Sequence, residues 1–339
     1  MFGVSHAARG TRTNLAPARP PIARAVATWG STMSTLTGKR ILVTGPAGQI
    51  AFPLVQDLVR DNEVWGIARF GDPESRAKVD ETGCITRVVD LANPDWQDLP
   101  DRFDHVLHLA IFQAASADYD YALKVNAEGT ALLMHRFANS ASVLIVSTVA
   151  VYDSNPDGAY LYRENDLLGD NRAPYSPTYG ISKIAQEGVA RSMARVLNLP
   201  TTIARMNVSY SPLGGLPVMQ LDMLVADMDV PVIAGGSSFN PIDEIDINLQ
   251  VPQLLDVASV PATICNWGGD DAVSTEEYVT YLGSLVGKTP RFVYVPDGIA
   301  GRAIDNTRRE ELIGGCSVHW KDGFQRTAKT RYPDLYVGP

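Results

Sequence analysis

Tyr179 and Lys183 stand four residues apart in Tyr179-Gly180-Ile181-Ser182-Lys183. That spacing places both side chains on one face of a helix. The pairing has a chemical use: a free phenol ionises near pH ~10, too high for easy proton exchange at neutrality, and a neighbouring ammonium favours the phenolate. The same lysine can donate to a ribose. A hydroxyl is still needed to hold a substrate oxygen, and Ser147-Thr148 closes the preceding apolar run. Taken alone, a tyrosine and a lysine at this spacing are a common and weak signal.

A second group of residues suits a phosphate. Thr44-Gly45-Pro46-Ala47-Gly48-Gln49-Ile50-Ala51 follows the first apolar run and opens a helix. Gly45 permits a tight turn, Gly48 lets backbone approach a pyrophosphate at a helix N-terminus, and the small Ala51 permits close helix–strand packing. Placed after the first strand of a βαβ series, the loop predicts dinucleotide binding. The next run ends Gly66-Ile67-Ala68-Arg69. An acidic residue there would accept from the ribose hydroxyls of NAD; Ala68 followed by Arg69 instead suits a 2′-phosphate, whose oxygens match the planar guanidinium fork. NADP is therefore the expected cofactor, ahead of NAD.

The motifs fall in a recognisable order. The glycine loop is followed by Asp90-Leu91, Asp104-His105-Val106-Leu107-His108-Leu109-Ala110, Val125-Asn126-Ala127-Glu128-Gly129-Thr130 and Ser147-Thr148-Val149-Ala150-Val151-Tyr152. The Tyr179–Lys183 segment and Arg205-Met206-Asn207-Val208, with Tyr210 and Pro212, complete it. From about Lys39 to about Lys321 the chain resembles the extended short-chain dehydrogenase/reductase, or epimerase/dehydratase, family. The resemblance implies that Thr148 orients the substrate carbonyl, that Tyr179 is the general acid/base, and that Lys183 binds the ribose and tunes the phenol. It implies a cofactor wall of Gly45, Ala47, Gly48, Gln49, Ile50, Arg69, Asp90, Leu91 and Ala110, with Asp90 at the adenine and Asn126 supporting the nicotinamide side. His105 and His108, read as sharing a strand face, become structural, and no metal site is expected. Three features depart from the pattern: added length at Asp157–Tyr162, Asp153 where the family places glycine, and no arginine near Ser238–Pro241 of the kind that meets a sugar-nucleotide diphosphate.

These residues need a scaffold. Short β-branched runs at 40–44, 63–68, 85–89, 106–109, 143–147 and 201–204 alternate with helix-length segments at about 49–61, 119–139 and 178–197. That rhythm predicts an α/β fold, a doubly wound parallel Rossmann sheet over residues 34–205. Residues 206–339, punctuated by glycine and proline, read as a smaller C-terminal substrate-binding lobe, with a return strand near 263–267. Residues 1–33 carry four arginines and no acid. They read as a disordered leader, a targeting peptide or a misplaced start being the alternatives.

Bulk properties narrow the partners. Net charge is −9 and pI about 5.1, or −13 without the leader's arginines, which gives no support to nucleic acid or an anionic membrane surface. Three well-separated cysteines fit a reducing, cytoplasmic setting. The expected partner is a small-molecule substrate, with a homodimer compatible. The function so read is an NADP(H)-dependent oxidoreductase moving hydride between the nicotinamide and a carbonyl/alcohol pair on an apolar substrate. The alternatives are a nucleotide-sugar epimerase or dehydratase with retained NAD(P), and a non-catalytic NADP-binding regulator.

Overall fold

The β-branched runs become a single parallel sheet in the computed structural model, which describes residues 36–169 and 175–339; the leader read at residues 1–33 lies outside them. The strands are β1 (Arg40–Thr44), β2 (Glu63–Ala68), β3 (Ile85–Val88), β4 (His105–His108), β5 (Ser142–Thr148), β6 (Thr201–Met206) and β7 (Thr263–Trp267). Their order is β7-β6-β5-β4-β1-β2-β3. Strand order therefore reverses between β1 and β4, the place where an open α/β sheet leaves a crevice beyond its carboxyl ends. Every residue of β5 is buried, as expected of a central strand covered on both faces.

Helices cover both faces. On one, Leu54, Val55 and Leu58 of α1 (Ala51–Leu58) share a core with Ile41, Val43, Leu107 and Leu144. Helix α2 (Pro73–Asp80) follows β2, and the predicted helix over 119–139 is broken into α3 (Tyr119–Leu123), a π-turn (Lys124–Glu128) and α4 (Gly129–Arg136). The wide turn coincides with a close approach, since a Cβ on Gly129 would stand 2.8 Å from the Leu91 carbonyl oxygen. On this face Leu133, Met134 and Phe137 pack with Ala190 and Ala194 of α5 (Tyr179–Leu197), against Leu42, Val106, Val143 and Ile203. Helix α5 ends where Asn198 turns left-handed.

Beyond β6 the chain serves two cores. Ile247, Val251 and Leu254 of the helix Glu244–Asp256, with Trp267 of β7, join the α1 side of the sheet. The helices Leu216–Val225, Thr275–Leu285 and Trp320–Arg331 enclose a separate cluster around Tyr210, Leu221, Tyr278 and Phe324. Val230–Ile233 pairs in parallel with Phe292–Val295 beside it. Among the described residues no helix is long and apolar enough to cross a membrane, and no cluster of side chains suits a metal ion.

The two histidines of β4 lie on opposite faces, not on one, because side chains alternate along a strand and these are three apart. His105 bonds Ser142 Oγ at 2.9 Å, while His108 is buried between Thr44 Oγ1 (2.8 Å) and Thr130 Oγ1 (2.9 Å). Burial pushes the pKa of His108 down to about 3, so it stays neutral.

Candidate active site

Two connected hollows open at the carboxyl ends of β1, β2 and β4. The first, of about 540 Å³, is lined by Gly45, Ala47, Arg69, Asp90, Leu91 and Ala110 together with Ala68, Phe70 and Ser75. The second, of about 660 Å³, shares Gly45 and continues past Gly48, Gln49 and Ile50 to Tyr179, Asn207 and Leu216. The loop between β1 and α1 is shaped for close approach. Gly45 has φ +69° and donates to the Ile67 carbonyl at 2.8 Å, and a Cβ there would stand 3.1 Å from Ala110 Cα. No side chain caps the α1 N-terminus, and Gly48, Gln49, Ile50 and Ala51 there line the second hollow. The residues present fit a dinucleotide. Gln49 reaches across to Ser209 Oγ at 3.2 Å, tying the loop to the C-terminal residues.

Arg69 is exposed at the end of β2, with Tyr121 Oη 3.2 Å from its guanidinium and no carboxylate at ion-pair distance among the described residues. Asp90 turns its carboxylate onto the Ala92 N–H at 3.0 Å while keeping a place in the wall. Two residues expected in that wall are not on it. Asn126 is buried; its Oδ1 accepts from the Phe112 N–H at 2.7 Å, and its amide donates to the Phe112 carbonyl and to Ser182 Oγ. It therefore fixes the 111–113 loop against α5. Lys183 is also buried, donating to the Val146 carbonyl at 2.7 Å and to Gln186 Oε1.

Thr148 and Tyr179 do meet. They line a small cavity of about 140 Å³ with Gln113, Tyr175, Ser176, Asn207, Phe239 and Arg302. Tyr179 belongs also to the longer hollow, with Gln113, Tyr175, Asn207, Val208 and Ile299, so these residues mark where the two join. Burial pushes its phenol above the ordinary value, and the neighbouring Thr148 hydroxyl draws it partly back. Lys183 does not act on it here, which corrects the expected depression of the phenol by the ammonium: the lysine is committed to Val146 and Gln186. Burial also lowers Lys183 itself to about 7, against a smaller opposing pull from Glu187.

That depression has a stability consequence. Folded Lys183 releases its proton near pH 7, whereas in the unfolded chain it holds it to about pH 10.4. Between these values unfolding takes up a proton, so this residue's contribution to stability rises with pH. Lys183→Met should remove that rise: the wild-type stability minus that of the variant grows between pH 7 and 10, by at most ~1.4 kcal/mol per pH unit. Urea midpoints of both proteins at pH 6.5 and 9.5 measure it, and a pH-independent difference would contradict it.

Thr148 is held from beneath. Ser147 Oγ donates to Glu187 at 2.6 Å, and Glu187 forms a fully buried ion pair with Arg205 at 2.7 Å. Arg205 also donates to Tyr152 Oη and to the Glu164 carbonyl, joining α5 and β6 to the loop after β5. Gln113, Tyr175, Ser176 and Arg302 were not foreseen in the site. Of these only Tyr175 carries a local hint, one helical turn before Tyr179.

The chain belongs to the NAD dependent epimerase/dehydratase family, whose model matches residues 41–228. No protein of curated function matches it. Among solved structures it is similar to a point mutant of UDP-glucuronic acid 4-epimerase from Bacillus cereus, in complex with UDP-4-deoxy-4-fluoro-glucuronic acid and NAD. The identity is 20%, covering 88% of this chain and 100% of that one, with a TM-score of 0.74. UDP-glucose 4-epimerase from Thermotoga maritima, with UDP-glucose, aligns at 19% identity over 86% of this chain and 97% of its own, TM-score 0.71. The Thermus thermophilus UDP-glucose 4-epimerase complex with NAD aligns at 20% over 87% and 99%, also with TM-score 0.71. At such identities the likeness establishes the fold alone, a Rossmann-like α/β sheet with flanking helices.

Proposed function

We propose that this protein is a nicotinamide-dependent epimerase or dehydratase acting on a nucleotide-linked sugar. The observation that carries the reading is the junction at Tyr179: a long crevice fitted to a dinucleotide meets a small cavity at this residue. In its wall Gln113, Thr148, Ser176, Asn207 and Arg302 offer hydrogen-bonding groups to a hydroxylated substrate, beside the apolar Met206, Val208, Phe239 and Ile299. The solved relatives, which align nearly end to end including the C-terminal lobe, carry UDP-sugars or NAD.

Gly45, Gly48 and the α1 N-terminus would hold the pyrophosphate, and Asp90, Leu91 and Arg69 the adenosine end. When bound, the cofactor supplies reversible hydride acceptance. The chain's own residues do the rest. Thr148 fixes the reacting hydroxyl or carbonyl oxygen by hydrogen bonding, and Tyr179 gives a proton to that oxygen or takes one from it. The 111–113 loop, pinned by Asn126, and Val208 with Leu216 form the walls of the hollow beside Tyr179.

The test is to purify the protein, assay for retained NAD(P), and incubate it with UDP-glucose, UDP-glucuronic acid and UDP-N-acetylglucosamine under NMR. Retained cofactor with a new epimer or dehydrated product supports the reading. Freely exchanging cofactor with steady NADPH consumption on simple carbonyls would replace it with the reductase. Binding without turnover on either panel would leave a regulator.

A further inference from the structure

Arg302 is a cation without an anion. It is 2% exposed, and among the described residues no carboxylate lies within ion-pair distance of it. Its named acceptors are neutral: the Tyr152 carbonyl at 3.0 Å, Ser154 Oγ at 3.3 Å and the Ala300 carbonyl at 3.4 Å. Two of the five guanidinium N–H groups therefore remain for another partner. A buried charge is ordinarily neutralised by a neighbour. Burial holds the guanidinium below its ordinary pKa, opposed only in part by Tyr162, Tyr175 and by Asp153, which lies beyond ion-pair distance.

The position is built, not incidental. The Arg302 carbonyl accepts from Asn207 Nδ2 at 2.8 Å, and the Gly301 N–H donates to Ser237 Oγ at 2.6 Å. A Cβ on Gly301 would stand 2.3 Å from the Ser238 carbonyl oxygen, so the backbone there is pressed against its neighbour. A second group lies in the same wall: Ser176 Oγ, in a residue 1% exposed, has no hydrogen-bond partner among the described residues. Both line the 140 Å³ cavity that contains Thr148 and Tyr179.

We propose that this cavity takes a carboxylate carried on the reacting end of the substrate, bound by the free edge of Arg302 and by the Ser176 hydroxyl. The inference deepens the sugar-nucleotide reading and rests on it for the choice of probes. A planar carboxylate matches the guanidinium fork, and a cavity this small admits such a group beside the reacting carbon.

UDP-glucuronic acid and UDP-glucose differ at one carbon, carboxylate against hydroxymethyl, and calorimetry with the NAD(P)-loaded protein gives their affinities. Wild type should bind the acid at least ten times more tightly. Arg302→Gln, which retains N–H donors but no charge, should abolish that preference with dinucleotide affinity unchanged, and Arg302→Lys should keep part of it. Ser176→Ala, a smaller change, should reduce the preference several-fold, and it decides the matter if Arg302→Gln does not fold. Ligand-observed NMR with free glucuronate and glucose separates the two readings. If neither UDP-sugar binds but glucuronate is still preferred through Arg302, the sugar-nucleotide reading falls and the carboxylate site stands. Equal affinities in wild type, or a preference that survives both substitutions, overturns the proposal.

Discussion

Tyr179→Phe should lower turnover by about 10²- to 10⁴-fold, the range of a lost general acid/base, and leave cofactor affinity within about twofold of wild type. The substitution keeps the ring that fills the junction between crevice and cavity and removes only the hydroxyl. Nothing else in the described wall replaces it. Thr148 is a poor acid, and Tyr175 lines the same cavity but stands a helical turn earlier, outside α5. Turnover on the active member of the sugar-nucleotide panel, with dinucleotide binding by fluorescence, measures both halves. Near-full turnover in the variant would remove Tyr179 from the chemistry, and loss of cofactor binding would recast it as a packing residue.

The protonation states fit a donor that must be switched into a base. Burial keeps the phenol protonated across neutral pH, so Tyr179 is ready to give its proton. Taking one up requires a phenolate, which low dielectric disfavours unless positive charge is near. Lys183 lies one turn along the same helix face but is tied to Val146 and Gln186, and its lowered pKa places its charge in balance near neutrality. Its effect on Tyr179 therefore depends on whether it is protonated and on where its ammonium points. The buried chain Lys183–Gln186–Thr130–His108–Thr44 then runs beneath the crevice to the Ala110 N–H, at the phosphate loop.

The sheet was legible in the sequence because strands buried on both faces leave uninterrupted β-branched runs, as at Val143–Ser147. The glycine loop was legible because Gly45 answers a backbone need, a positive φ beside Ala110, that only glycine meets cheaply. Helix α5 was readable from its apolar repeat to within a residue of its start. The residues 119–139 were not: their pattern is continuous, and the π-turn falls where Gly129 packs closely on Leu91, a contact between distant segments that no local period reports. Asn126 and Lys183 were placed correctly along the chain but not in depth, since both polar side chains are spent inside the protein. Arg302 lies in an irregular stretch after Val295 with no period to read, and its meaning comes only from what surrounds it.

Cofactor choice gives the remaining large effect. β2 ends at Ala68 without a carboxylate to accept from ribose hydroxyls, and Arg69 lines the adenosine end of the crevice with its charge uncompensated among the described residues. A 2′-phosphate placed there would receive charge-assisted hydrogen bonds worth ~1.5–3 kcal/mol each. One such contact predicts a roughly ten- to hundredfold preference for NADPH over NADH. The solved relatives were crystallised with NAD, but at about 20% identity they fix the fold and not the second-strand terminus of this chain. Ala68→Asp with Arg69→Asn should reverse the preference, because the new carboxylate repels the phosphate and accepts from the ribose. Dissociation constants of both cofactors for wild type and double variant, at one ionic strength, provide the measurement. If wild type binds NADH as tightly as NADPH, Arg69 is a solvated strand end held by Tyr121, and the enzyme is NAD-dependent like those relatives.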